Sequence, residues 1–145
     1  MLRAVKIRLY PNSTQATQIN KLLGCYRVVY NQCLNRKIKS YEENKISENR
    51  TTLGYFIHHE LLKDDNFSWL REQNTKVLKQ AVIDMLNAYK NFFEGLNKGK
   101  VAYPQFKKKK DNQGCFYITD VVLSDFNTNS SKFASVMFVM ILDIL

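Results

Sequence analysis

An α+β fold, mostly helical, is predicted for this chain by two observations: a strand-like alternation stands at each end, and apolar residues recur at three- and four-residue steps between them. From Leu2 to Tyr10, Val5, Ile7 and Leu9 fall on one face and Lys6, Arg8 and Tyr10 on the other, before the stop at Pro11. Asn12, Ser13 and Thr14 then offer helix N-caps. After them Ile19, Leu22, Leu23, Tyr26, Val29, Tyr30, Cys33, Leu34, Ile38 and Tyr41 trace the apolar stripe of one long helix or of two. Gly24 interrupts this stripe and marks either a bend or a close packing contact.

The polar stretch Glu42 to Thr52 reads as a loop, followed by a shorter helix from about Leu53 to Lys63 that ends at Asp64, Asp65 and Asn66. Asn74 or Thr75 caps the next helix. Its stripe is the cleanest in the chain: Val77, Leu78, Ala81, Val82, Met85, Leu86, Tyr89, Phe92, Phe93 and Leu96. Gly95 and Gly99 bracket its end, with Lys98 and Lys100 where a helix C-terminus favours cations. Beyond Tyr103 and Pro104 come the run Lys107 to Lys110, a turn at Asp111 to Gly114 and a second strand at Cys115 to Thr119. Two units follow from this reading. Residues 1–120 form one unit, with a strand at 2–10, a helical block at 13–97 and a basic loop and strand at 103–120; residues 121–145 form a divergent apolar tail.

The 145 residues suffice for one sizeable core and leave little room for two complete domains. Lys and Arg number 22 against 13 Asp and Glu, a net charge of +9, so the surface attracts polyanions, nucleic acid first among them. Three cysteines, Cys25, Cys33 and Cys115, stand at spacings that fit no metal-binding pair, and no apolar signal-peptide core opens the chain. The expected location is cytoplasmic, with reduced thiols. The apolar end from Phe133 to Leu145 is too short to span a bilayer as a helix, so no membrane is expected as a partner.

The lysines Lys107, Lys108, Lys109 and Lys110 lie beside Tyr103 and Phe106, which combines phosphate-pairing charge with faces for base stacking. A solvated loop that binds nothing is the plainer reading of the same run. Arg27, Arg36, Lys37 and Lys39 fall largely off the apolar stripe of the first helix, as a phosphate-tracking row or as an ordinary charged exterior. Tyr26, Tyr30, Tyr41, Tyr89, Phe92 and Phe93 lie on helix stripes and are expected to pack in the core. His58 and His59 are adjacent in the sequence and point to different sides of a helix, so no metal is expected. Two-metal cleavage needs converging carboxylates, and the acids here are scattered. No phosphate loop or nucleophile motif occurs either, so the chain is expected to bind without catalysing and without a cofactor.

Five ordered blocks carry a resemblance. They are Arg8-Leu9-Tyr10-Pro11; Leu23-Gly24-Cys25-Tyr26-Arg27-Val28-Val29-Tyr30-Asn31; Trp69-Leu70; Ala88-Tyr89-Lys90-Asn91-Phe92-Phe93; and Tyr103-Pro104-Gln105-Phe106-Lys107-Lys108-Lys109. In that order they resemble the N-terminal part of the OrfB/TnpB proteins, RNA-guided nucleases and transposase-like proteins of insertion sequences, in which this part is also described as a helix-turn-helix domain. The resemblance implies a helical recognition block inserted between strands of a partial, wedge-like β-barrel. It also implies that the part grips a transposon-end RNA and the target duplex beside a short adjacent motif, while guide pairing reads the remaining sequence. The contacts it implies are Arg8, Arg27, Asn31, Lys90, Lys107, Lys108 and Lys109, with Tyr55, Lys76, Lys79 and Gln80 as readers of the adjacent motif.

The family continues into a RuvC-type nuclease domain with acidic metal ligands and a zinc ribbon of cysteines, neither of which this sequence contains. The resemblance also stops after Thr119, as expected of a product truncated by a frameshift or early stop. Three other functions stay open beside nucleic-acid binding: a degenerate remnant without activity, an enzyme subunit whose catalytic part a full-length relative supplies in trans, and a small basic structural RNA-binding protein.

Overall fold

The structure is a computed structural model that describes residues 10, 12–73, 75–96 and 102–109, together with the backbone of 115–117 and 139–141. Its first helix, α1, runs unbroken over Ser13–Asn44. Asn12 caps it: its side chain accepts from the Gln15 N–H at 2.9 Å while the Gln15 side chain accepts from the Asn12 N–H at 3.0 Å, a reciprocal box that satisfies two donors. The helix ends where Lys45 turns left-handed at φ 57°, and the N–H groups of Lys45 and Ile46 return to the carbonyls of Tyr41 and Ser40.

Helix α2, Arg50–His59, starts three residues before the predicted Leu53, because Asn49 supplies a second capping box with Thr52 that the polar composition had hidden. Two 3₁₀ segments, Leu61–Lys63 and Asp65–Glu72, lead on toward α3, Thr75–Leu96. Trp69 is pinned there by its indole N–H, which donates to the Asn66 carbonyl at 2.9 Å.

Helix α1 packs chiefly on α3, with α2 and the 3₁₀ segments closing the remaining side. The shared core takes Tyr26, Val29, Tyr30, Cys33 and Leu34 from α1, Leu53 and Ile57 from α2, Leu61 and Leu70 from the 3₁₀ turns, and Val77, Leu78, Ala81, Val82, Met85 and Tyr89 from α3. Tyr41 and Phe93, expected inside, are more than half exposed. Burial holds the thiols of Cys25 and Cys33 in the protonated form, pushing Cys33 up to about 12, so both act as small apolar core groups.

The expected α+β fold with a partial wedge-like β-barrel is not what the described residues adopt. The described residues form a helical domain, because three segments of helical periodicity bury their stripes against one another. Among the described residues the strands are β1, Cys115–Tyr117, and β2, Val139–Ile141, three residues each, paired antiparallel with Phe116 opposite Met140. A two-stranded ladder of this length closes no barrel. The predicted strand at 2–10 lies outside the described residues except for Tyr10, as do Arg8, Lys110 and the turn at Asp111 to Gly114.

Gly24 makes no close packing contact. Helix α1 continues through it, and a Cβ placed there would meet nothing within 4 Å. Gly24→Ala is therefore expected to raise stability by about 0.5–1 kcal/mol, read as a higher midpoint in urea with an unchanged slope.

Candidate nucleic-acid interface

The segment 102–109 has almost no regular secondary structure, and its shape comes from what it touches. At one end the Tyr103 hydroxyl shares a hydrogen bond of 2.6 Å with the Tyr89 hydroxyl of α3. The Tyr103 ring stands edge-on to Tyr89 at 5.5 Å and to Phe92 at 5.2 Å. Such edge-to-face pairs add to plain burial. Burial and the bond to Tyr103 keep the Tyr89 hydroxyl protonated well above its ordinary range. Pro104 is buried.

At the other end Asn31 of α1 donates from Nδ2 to the Lys107 carbonyl at 3.0 Å and accepts the Lys107 N–H on Oδ1 at 2.8 Å. The Lys107 ammonium lies over the Tyr30 ring at 4.7 Å and the Tyr26 ring at 5.8 Å, within cation–π range. Lys107, Lys108 and Lys109 are all exposed, as is Phe106. Arg27 stands one helical turn before Asn31 on the same side of α1 and is half-buried. The structure thus brings Arg27, Asn31 and the lysines 107–109 to one place.

The other predicted residues are distributed elsewhere. Lys37 is buried: its ammonium donates to the Glu48 carbonyl at 2.6 Å and to Ser47 Oγ at 3.0 Å and faces the Tyr89 ring at 5.2 Å. Burial lowers its pKa, against the nearby Glu48 charge. Arg36 is held by Glu60 at 2.5 Å and Glu48 at 3.4 Å over the Phe56 ring, which ties α1 to the end of α2. Gln80 donates to Asp84 at 2.8 Å. Lys90 is exposed with Glu94 at 3.7 Å. Tyr55 is exposed on α2 and stacked on His59, ring centres 4.1 Å apart.

Lys76 and Lys79 are exposed near the start of α3. Lys79 joins Arg50, His58 and Thr75 in lining a groove of about 400 Å³ between α2 and α3. Lys90 lies 14 residues beyond Lys76 on α3, about 21 Å along the axis, so the two stand far apart. Among the described residues no group of three His, Cys, Asp or Glu side chains is placed to hold a metal ion, and no helix is long and apolar enough to cross a membrane.

Asp84 is a residue that reading the sequence missed. It accepts from the Tyr26 hydroxyl at 2.5 Å and from Gln80, locking α1 to α3 below the lysine cluster. An acid flanked by Ala81, Val82 and Met85 on an apolar stripe was the available signal. Asn31 acts through the backbone of Lys107, which lies 76 residues away in the chain and is invisible to any local pattern.

Comparison with known proteins supports a common origin. A family model described as a helix-turn-helix domain, of the OrfB kind found in IS605 elements, matches residues 1–45. Within that stretch the described residues from Asn12 form the N-cap and helix α1, and the turn to α2 begins at Lys45. A protein of Escherichia coli K12, provisionally named RNA-guided DNA endonuclease InsQ, is 29% identical over 128 residues, which is 88% of this chain and 30% of that protein. A Streptomyces pristinaespiralis protein with the same provisional endonuclease name is 29% identical over 113 residues, 77% of this chain and 26% of its own length. The chain thus spans between a quarter and a third of these two relatives. Virulence protein VsdF of Salmonella dublin is itself short: it is 32% identical over 115 residues, 75% of this chain and 95% of that protein. With the ordered signature blocks, these matches make the chain a member of the OrfB/TnpB family, corresponding to the N-terminal part of its longer members.

Proposed function

We propose that this chain binds nucleic acid, a structured RNA from a transposon end and duplex DNA beside it, and performs no chemistry itself. The observation that carries this reading is the docked segment 102–109, which holds Lys107, Lys108 and Lys109 exposed and side by side on a fixed backbone. Fixed cations facing a phosphate backbone release its counterions on binding, and the exposed Phe106 gives an unpaired base a face to stack on. Arg27 extends the contact along α1. Lys79 in the α2–α3 groove, with Lys76 and Tyr55 on the same two helices, forms a second contact for duplex DNA, and Lys90 a peripheral one. Arg8 and Lys110 join by resemblance to the family.

The test is competition. The chain is bound to a labelled structured RNA transcribed from the end of its encoding element, then challenged with unrelated RNA and with duplex DNA across a salt series. Preference for the element's RNA that survives moderate salt is expected, because shape and 2′-hydroxyl contacts outlast screening. Equal, weak binding to every polyanion that vanishes with salt contradicts the reading.

A further inference from the structure

We infer that Asn31 is a positioning residue, which sets the affinity for nucleic acid by holding the lysine segment in its binding shape and does not itself touch the ligand. The inference rests on the proposed nucleic-acid function. Its basis is the use the structure makes of the Asn31 carboxamide: the oxygen takes the Lys107 N–H at 2.8 Å, and the amide nitrogen gives a hydrogen to the Lys107 carbonyl at 3.0 Å. Both bonds go to one residue's backbone, so they fix its orientation as a pairing strand would. One amide hydrogen and one oxygen lone pair of the carboxamide stay outside this pairing, so the experiment separates the tether from a direct contact.

Lys107 would otherwise belong to a polar, lysine-rich loop without helix or strand of its own, and such a loop loses backbone freedom only when something orders it. Here ordering precedes the ligand. Tyr103 ties the near end to α3 through Tyr89, Asn31 ties the far end to α1, and the Lys107 ammonium settles over Tyr30 and Tyr26. Lys108 and Lys109 then project from a backbone already in place. A ligand that meets a preordered segment does not bear the entropy of ordering it, so the tethers raise affinity from outside the contact.

The experiment uses the full chain and a fluorescein-labelled RNA hairpin, with three variants: Asn31→Ala, Tyr103→Phe, and Lys108→Ala with Lys109→Ala. Affinity is measured across a salt series, and exchange of the Lys107 amide and tryptic cleavage at residues 107–109 are measured in the free protein. Asn31→Ala is expected to weaken binding roughly tenfold, as two lost hydrogen bonds imply, to expose the Lys107 amide and speed cleavage, and to leave the salt slope unchanged. Tyr103→Phe loosens the other tether and acts in the same direction, and it carries the test if Asn31→Ala does not fold. The double lysine variant is expected to lower the salt slope by about one for each lysine that pairs with a phosphate, with the Lys107 amide still protected.

Weaker binding by Asn31→Ala with the Lys107 amide still protected would make Asn31 a direct contact and overturn the inference. A loosened segment with unchanged affinity would overturn it equally. If instead the double lysine variant binds the hairpin as well as the parent, it is the functional reading of this segment that fails.

Discussion

Leu34→Ala is expected to remove about 2–5 kcal/mol of stability, the usual cost of deleting a fully buried leucine side chain and leaving a cavity. Leu34 has no exposed surface and lies in the second half of α1, the helix that packs most extensively on α3. Domains of this size are stable by about 5–15 kcal/mol in all, so the variant should lose a large share of its stability and unfold at markedly lower urea. Tyr41→Ala serves as the control. Tyr41 is 57% exposed on the same helix, and its loss should stay within about 0.5 kcal/mol. Equal effects at the two positions would mean that the α1–α3 seam is not what holds the domain together.

The second large effect concerns the charges. Replacing Lys107, Lys108 and Lys109 together by alanine is expected to reduce the slope of log affinity against log salt by about 0.9 for each lost phosphate contact on duplex DNA, and to weaken binding at low salt by at least roughly tenfold. The fold should survive, because Lys108 and Lys109 are exposed and the Asn31 bonds to Lys107 use only its backbone. Circular dichroism of the triple variant should match that of the parent. A triple alanine variant that keeps both the slope and the affinity would move the interface elsewhere, with the α2–α3 groove around Lys79 the next surface to examine.

The helices were legible in the sequence because their signals are local. Asn12 announces the start of α1, and the stripe from Val77 to Leu96 announces α3 almost to the residue. The boundary of α2 was missed since Asn49 and Thr52, which cap it, look like ordinary loop residues until their hydrogen bonds are seen. The barrel was a different kind of error: it came from the resemblance and from a brief alternation, neither of which shows whether a strand finds a partner.

For the candidate site, charge was readable but attachment was not. Lys107 to Lys109 were recognisable as a cluster from composition alone, whereas no periodicity separates the solvent-facing Lys39 from Lys37, whose ammonium turns inward to the Glu48 carbonyl. Arg36 and Gln80 likewise look free in the sequence, yet are occupied by Glu60 and Asp84. Long-range partners decide such cases.

Lysine acetylation footprinting, with and without a bound RNA hairpin, tests most directly whether nucleic acid lies on the docked segment. Lys108 and Lys109 should lose reactivity when the hairpin binds, Lys63 on its exposed 3₁₀ turn should keep it, and buried Lys37 should react slowly in both states. Protection at Lys63 equal to that at Lys108 and Lys109, or no protection on the segment under conditions where the hairpin is bound, would contradict the placement of the interface.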